Sequence, residues 1–285
     1  MVCSSAAEVQ NDLKVINDCL DGTQAKFQDE PVVEDRLEIL PGSTKYWIPE
    51  VEQEKIPRAD MHLRTLEARI QFYKDYVWPG ILSNAGSSGL DTTGFQLQPR
   101  ATRSFQAQPG WSGRFWGRTG CSFDPSTGVG RCATGDCGSN QIECNGAGAA
   151  PPATLAEFTI GSGAPDFYDV SLVDGYNLPM IVQPVGGSGA CGLTGCVTDL
   201  NRKCPNELRA GDGQGCKSAC EAFGNPEYCC SGAYGSPDTC RPSVYSEMFK
   251  NACPRSYSYA YDDATSIFTC SGADYTITFC PSVTR

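Results

Sequence analysis

The sequence predicts a mainly β protein, an antiparallel sandwich or barrel stapled by disulfides, with a segment of different character ahead of it. Three observations carry this reading. From Val77 onward, short runs of alternating apolar and polar residues are separated by Gly and Pro every few positions, the pattern of half-buried strands joined by turns. The same 209 residues hold fifteen of the seventeen cysteines. Residues 1–76 hold the other two and carry nine Lys or Arg against fifteen Asp or Glu. The change falls within RIQFYKDYVWPGIL.

Taken in order, residues 1–30 allow a short amphipathic helix with Val9, Leu13 and Ile16 at helical spacing. Pro31, Pro41, Pro49 and Pro57 break residues 31–60 into irregular chain. From Arg58 to about Tyr73 a second helix is permitted, although Ile70-Gln71-Phe72 also alternates as a strand would. Residues 1–76 are therefore expected to be an acidic extension, irregular or partly helical. Beyond it, alternation at Phe95-Gln96-Leu97 and Ser104-Phe105-Gln106-Ala107 predicts strands. Further strands are predicted at GRFWGRT, TLAEFTI, FYDVSLVDGYNLPMIVQPV (two strands) and DYTITF. Residues 198–253 instead mix cysteines and turns with the helix-permissive GCKSACEAFG and SVYSEMFKNAC, a disulfide-stapled lobe with little core of its own.

Composition excludes several classes. A net charge of -11 disfavours nucleic acid, whose affinity rests on basic side chains neutralising phosphates. No apolar run approaches the roughly 20 residues of a membrane helix. Paired zinc knuckles are not the pattern either: cysteine gaps run from Cys132 to Cys137 and from Cys191 to Cys196, Cys229 and Cys230 are adjacent, and the single His, His62, lies upstream. GSGACGLTGC lacks the Lys-Ser/Thr close of a phosphate loop. No metal or cofactor is expected. Cysteine density of this order points to an oxidising compartment. The first residues conflict with that, since Glu8, Asp12, Lys14 and Asp18 stand where the apolar stretch of a signal peptide would be.

Residues 77–285 resemble the thaumatin-like proteins, the plant pathogenesis-related class that includes osmotin-type antifungal proteins. The motifs are VWPGILSNAG, GRFWGRTGCSFD, CATGDCGSNQIEC, PPATLAEFTI, FYDVSLVDGYNLPM, EYCCSGAYGSPDTC and DYTITFCP. The resemblance implies an antiparallel β-sandwich core over 77–118, 153–197 and 254–285, a small two-disulfide lobe over 119–152 and a cysteine-rich lobe over 198–253. It implies the pairs Cys121–Cys132, Cys137–Cys144, Cys191–Cys270, Cys196–Cys253, Cys204–Cys216, Cys220–Cys229 and Cys230–Cys240. Cys280 is left over, because counting back from Val77-Trp78 puts its usual partner at Tyr73. Cys280 is therefore expected to be unpaired unless Cys3 or Cys19 reaches it. Asn140 stands where the family usually has Gly, as the residue next most tolerant of positive φ. The extension is read as a gene-model artefact or alternative first exon replacing leader and first strand; the other reading is a genuine appendage with a regulatory partner.

By the same resemblance, Arg114, Glu157, Asp169, Asp174 and Asp262 line a cleft between the sandwich and the cysteine-rich lobe. Neighbouring carboxylates raise one another's pKa, so one can stay protonated as a general acid while another is ionised. Glycoside hydrolysis needs such a pair, with Glu157 as acid, Asp169 or Asp174 as base or nucleophile, and Arg114 orienting a carboxylate. The same groups also bind sugar hydroxyls without cleavage. Among Phe167, Tyr168, Tyr176, Tyr257, Tyr259 and Tyr261, one or two rings are expected to be exposed for sugar stacking. The favoured function is a defence protein binding β-1,3-glucan of fungal cell walls, with weak endo-β-1,3-glucanase activity or inhibition of a fungal hydrolase as alternatives. A monomer, secreted to the apoplast or sent to the vacuole, is expected.

Overall fold

The computed structural model of the protein describes residues 11–17 and 76–281. Two sheets pack face to face. One runs β2 (Trp78–Ser83), β4 (Ser112–Arg118), β7 (Leu155–Thr159) and β8 (Asp166–Ser171), every neighbour antiparallel. The other holds β3 (Thr102–Ala107), β1 (Asn11–Asn17), β13 (Phe268–Phe279), β9 (Met180–Ser188) and β10 (Thr194–Cys196) in that order. β13 belongs to both: Phe268–Cys270 pair with β8, and Ser271–Phe279 with β9. Gly272 at the change of partner has φ +66, a bend that glycine makes without strain. The sheets thus form one curled surface around the main core, with two smaller clusters under the lobes.

Alternation along each strand fills that core. Phe115, Phe158, Tyr168, Ile277 and Phe279 point inward, each at most 3% exposed. Trp111, Phe115, Phe158 and Tyr275 form a chain of ring contacts between the sheets, with centroids 5.4–6.1 Å apart, a geometry that adds to their area burial. Two short hairpins, β5–β6 (Ser122–Phe123, Gly130–Arg131) and β11–β12 (Arg209–Ala210, Gly215–Cys216), lie in the appended lobes. The cysteine-rich lobe also carries α1 (Ala219–Phe223), α2 (Pro226–Cys229) and α3 (Val244–Ala252), and α4 (Asp263–Ser266) follows. α3 starts at a capping box formed by Ser243 and Ser246.

The seven disulfides among the described residues are the seven pairs that the resemblance implies. Asn140 sits at φ 56, in the left-handed region, as expected of a residue standing in for glycine. Arg118, whose role the sequence did not signal, is completely buried. Its guanidinium donates to the carbonyls of Trp78 (2.9 Å), Pro79 (3.2 Å) and Ile142 (2.6 Å), tying the small lobe to the sandwich. Burial lowers its pKa to about 10, against the attraction of Asp136 and Glu143.

Two expectations are overturned. Residues 11–17 form a strand rather than part of a helix, lying between β3 and β13, antiparallel to the first and parallel to the second. Leu13 and Val15 are fully buried in the core while Lys14 is exposed. The domain therefore takes its first strand from the region read as an extension. Ile70–Tyr73, Cys3, Cys19 and His62 lie outside the described residues. The second correction follows from the first. Cys280, one residue past β13, is disulfide-bonded rather than unpaired. The other fourteen described cysteines pair among themselves, so its partner lies outside the described residues.

Candidate functional site

On β4, Gly113 and Phe115 face the core, so Arg114 faces outward. The same alternation turns out Glu157 on β7 and Asp169 on β8. Register then places Arg114 opposite Glu157 and Glu157 opposite Asp169, a single row across three strands. Directly opposed residues have Cβ atoms about 4.5–5.5 Å apart. Arg114 Nε is 3.6 Å from Glu157 Oε1. Asp174 comes from the turn after β8, where Gly175 has φ +85 and packs so closely on Pro152 and the Cys216 carbonyl that a Cβ would lie 2.7 Å from each. The Ala153 amide donates to the Asp174 carbonyl at 3.0 Å. From the other side, Tyr257 is held by backbone bonds to Val170 and Leu172.

These groups line a cavity of about 410 Å³, bounded by Arg114, Glu157, Asp169, Asp174, Tyr257 and Asp263. The fifth residue differs from expectation. Asp262 points away, accepting from the Ser258 amide (3.0 Å) and hydroxyl (2.9 Å) and pairing with Lys250 Nζ at 2.9 Å. It anchors the loop, whereas its neighbour Asp263 lines the cavity and accepts from the Tyr257 hydroxyl at 2.7 Å. The Asp-Asp doublet in YAYDDA was the only sequence signal, and it does not say which carboxylate faces the cleft.

Electrostatics separate the carboxylates. Burial, then the charge of Glu157, pushes Asp169 up to about 8, against the attraction of Arg114. Glu157 is also raised, chiefly by burial and further by Asp174, with Arg114 opposing. At neutral pH the row therefore holds a proton on Asp169. Two buried atoms in it make no hydrogen bond: Arg114 Nε, a donor, and Asp169 Oδ1. Among the aromatic candidates, Tyr168 and Tyr176 are core residues and Phe167 is 43% exposed. Tyr257 lines this cavity and Tyr259 an adjoining one. No group of three or more His, Cys, Asp or Glu among the described residues is arranged to hold a metal ion, and no described helix is long and apolar enough to cross a membrane.

A curled β-sandwich, two disulfide-stapled lobes and a carboxylate-lined cavity beside one of them define a disulfide-framed class suited to oxidising compartments. Residues 73–281 match the Thaumatin family, and the chain belongs to it. The chain is 72% identical over 216 residues to Thaumatin-like protein 1 of Arabidopsis thaliana, covering 73% of this chain and 83% of that one. It is 62% identical over 209 residues to Pathogenesis-related thaumatin-like protein 3.5 of Cryptomeria japonica, covering 72% and 85%. Pathogenesis-related protein 5 of Arabidopsis thaliana is 58% identical over 209 residues, covering 72% and 85%. Among solved structures, a laminaripentaose-producing β-1,3-glucanase in complex with laminaritetraose has a TM-score of 0.52 at 10% identity, over 96% of this chain and 99% of that one. That likeness is one of fold. The family match begins after β1, so the structure extends the domain upstream.

Proposed function

We propose that the cleft binds β-1,3-glucan of fungal cell walls and that the protein acts, exported and monomeric, in plant defence. The observation that carries this reading is the pair of unsatisfied buried atoms, Arg114 Nε and Asp169 Oδ1. A buried polar atom without a partner is costly, and a sugar hydroxyl both donates and accepts, so it answers both. Exposed Phe167, on the same face as Asp169 and two residues before it, offers a ring for the apolar side of a sugar. The pathogenesis-related relatives support the defence role.

Co-sedimentation with insoluble β-1,3-glucan, with cellulose as control, tests it. Binding should be specific to the β-1,3 polymer and fall about tenfold in Arg114→Ala, the loss of roughly one charge-assisted hydrogen bond. Binding to neither polymer, or unchanged binding in the variant, refutes the reading.

A second reading, weak hydrolysis, has one observation in its favour: the proton held on Asp169 beside Glu157 suits general acid chemistry. The general acid is then Asp169, with Glu157 or Asp174 as base or nucleophile. Reducing-sugar release from soluble β-1,3-glucan that disappears in Glu157→Gln supports it, and binding without turnover excludes it.

A further inference from the structure

Beside the first cavity lies a second, of about 370 Å³, running into the cysteine-rich lobe. Val173, Asp174 and Ala260 line both, so the two compartments adjoin along that wall. The walls of the second are Tyr228, Tyr245 and Tyr259 with Glu221, Glu227 and Arg241. Tyr228 and Tyr245 meet at 6.0 Å, nearly perpendicular, and Phe223 packs on both at 5.7 and 5.4 Å. The Cys220–Cys229 and Cys230–Cys240 bonds frame this cluster.

We propose, building on the glucan reading, that the groove continues past Asp174 into this compartment, and that Glu221, Tyr228 and Tyr245 select long chains by holding their distal sugars. Glu221 Oε2 is buried and makes no hydrogen bond, while its Oε1 is 3.8 Å from Lys217 Nζ. One oxygen is thus left to accept from a ligand hydroxyl. Its pKa is raised, chiefly by burial and then, with Lys217 opposing, by Asp174 in the shared wall. The compartment contains Arg241 as well as carboxylates, a mixture that suits a neutral polyol better than a cation. Rings with two χ angles and a fixed frame lose little entropy on binding, and the volume lies in the usual range of about 300–1,000 Å³ for ligand sites.

Calorimetry with linear β-1,3-linked gluco-oligosaccharides, from the disaccharide to the hexasaccharide, tests the extension. Wild-type affinity should rise by about tenfold or more with chain length, about 1.4 kcal/mol per decade. Glu221→Gln, which keeps the side-chain shape, and Tyr245→Ala should each remove most of that rise, with unchanged near-ultraviolet dichroism as the folding control. A rise that persists in Glu221→Gln overturns the proposal, as does an equal loss for short and long chains. Short chains binding with no rise in the wild type defeat the extension alone. No binding of any length defeats the glucan reading with it.

Discussion

Replacing Asp169 by Asn should stabilise the folded protein at neutral pH and leave it nearly unchanged in acid. In the folded state the carboxyl titrates at about 8, whereas an unfolded chain releases that proton near 4. Below about pH 4 both states are protonated and the group contributes nothing to the difference. As pH rises, the unfolded chain ionises first, and stability falls until the folded carboxyl ionises near 8. At about 1.4 kcal/mol per pH unit, the loss by pH 7 has a ceiling of about 4 kcal/mol. The carboxyl sits in a cleft open to water on one side, so roughly half of that, about 2 kcal/mol, is the gain expected from Asn. Denaturant titrations of both proteins at pH 3.5 and pH 7, with disulfides intact, measure it. A gain of equal size at both values, or none at pH 7, shows that the carboxyl is not held protonated by its surroundings.

Three further outcomes are expected. Asp262→Asn should destabilise by about 2–3 kcal/mol, because it removes the one carboxylate paired with Lys250 and leaves that ammonium only the Ser256 carbonyl and the Ser266 hydroxyl, whereas Asp263→Asn should stay within about 0.5 kcal/mol and weaken glucan binding; thermal unfolding beside co-sedimentation distinguishes them. Leu13→Ala should cost about 2–5 kcal/mol, as expected of a fully buried leucine, and a denaturant midpoint no lower than wild type contradicts the placement of β1. Asn17 pairs with Phe279, next to Cys280, while Cys3 precedes β1 at the far end of the strand. Non-reducing peptide mapping should therefore link Cys280 to Cys19, and a Cys3 link refutes that reasoning.

Strands with clean alternation were legible: in TLAEFTI the inward Ala156 and Phe158, with the outward Glu157 between them, follow from the pattern and from the partners it meets. β1 was not. Val9, Leu13 and Ile16 satisfy a helical period, while Leu13 and Val15 around Lys14 satisfy a strand period, and seven residues do not decide between them. Pairing with β3 and β13, strands that begin at residues 102 and 268, decides it, and such distant partners leave no local trace. The same limit applied to Asp262 and Asp263. Adjacent residues differ in direction by backbone geometry alone, and here Lys250 and Ser258 claim the first. Glu221 was invisible because its significance rests on what surrounds it.

Sixty residues separate Asn17 from Trp78. Loop-closure entropy rises by only about 0.6 kcal/mol per doubling of length, so a connection this long adds about 2 kcal/mol over a turn of a few residues. Burying Leu13 and Val15 returns about 1.5–3 kcal/mol each, and the backbone ladders on both sides add to that. β1 is thus tethered to its slot rather than delivered by its neighbour in the chain. A domain cut to begin at Tyr76 would present an empty groove between β3 and β13, and a separate peptide carrying residues 11–17 would be its complement, as in donor-strand exchange.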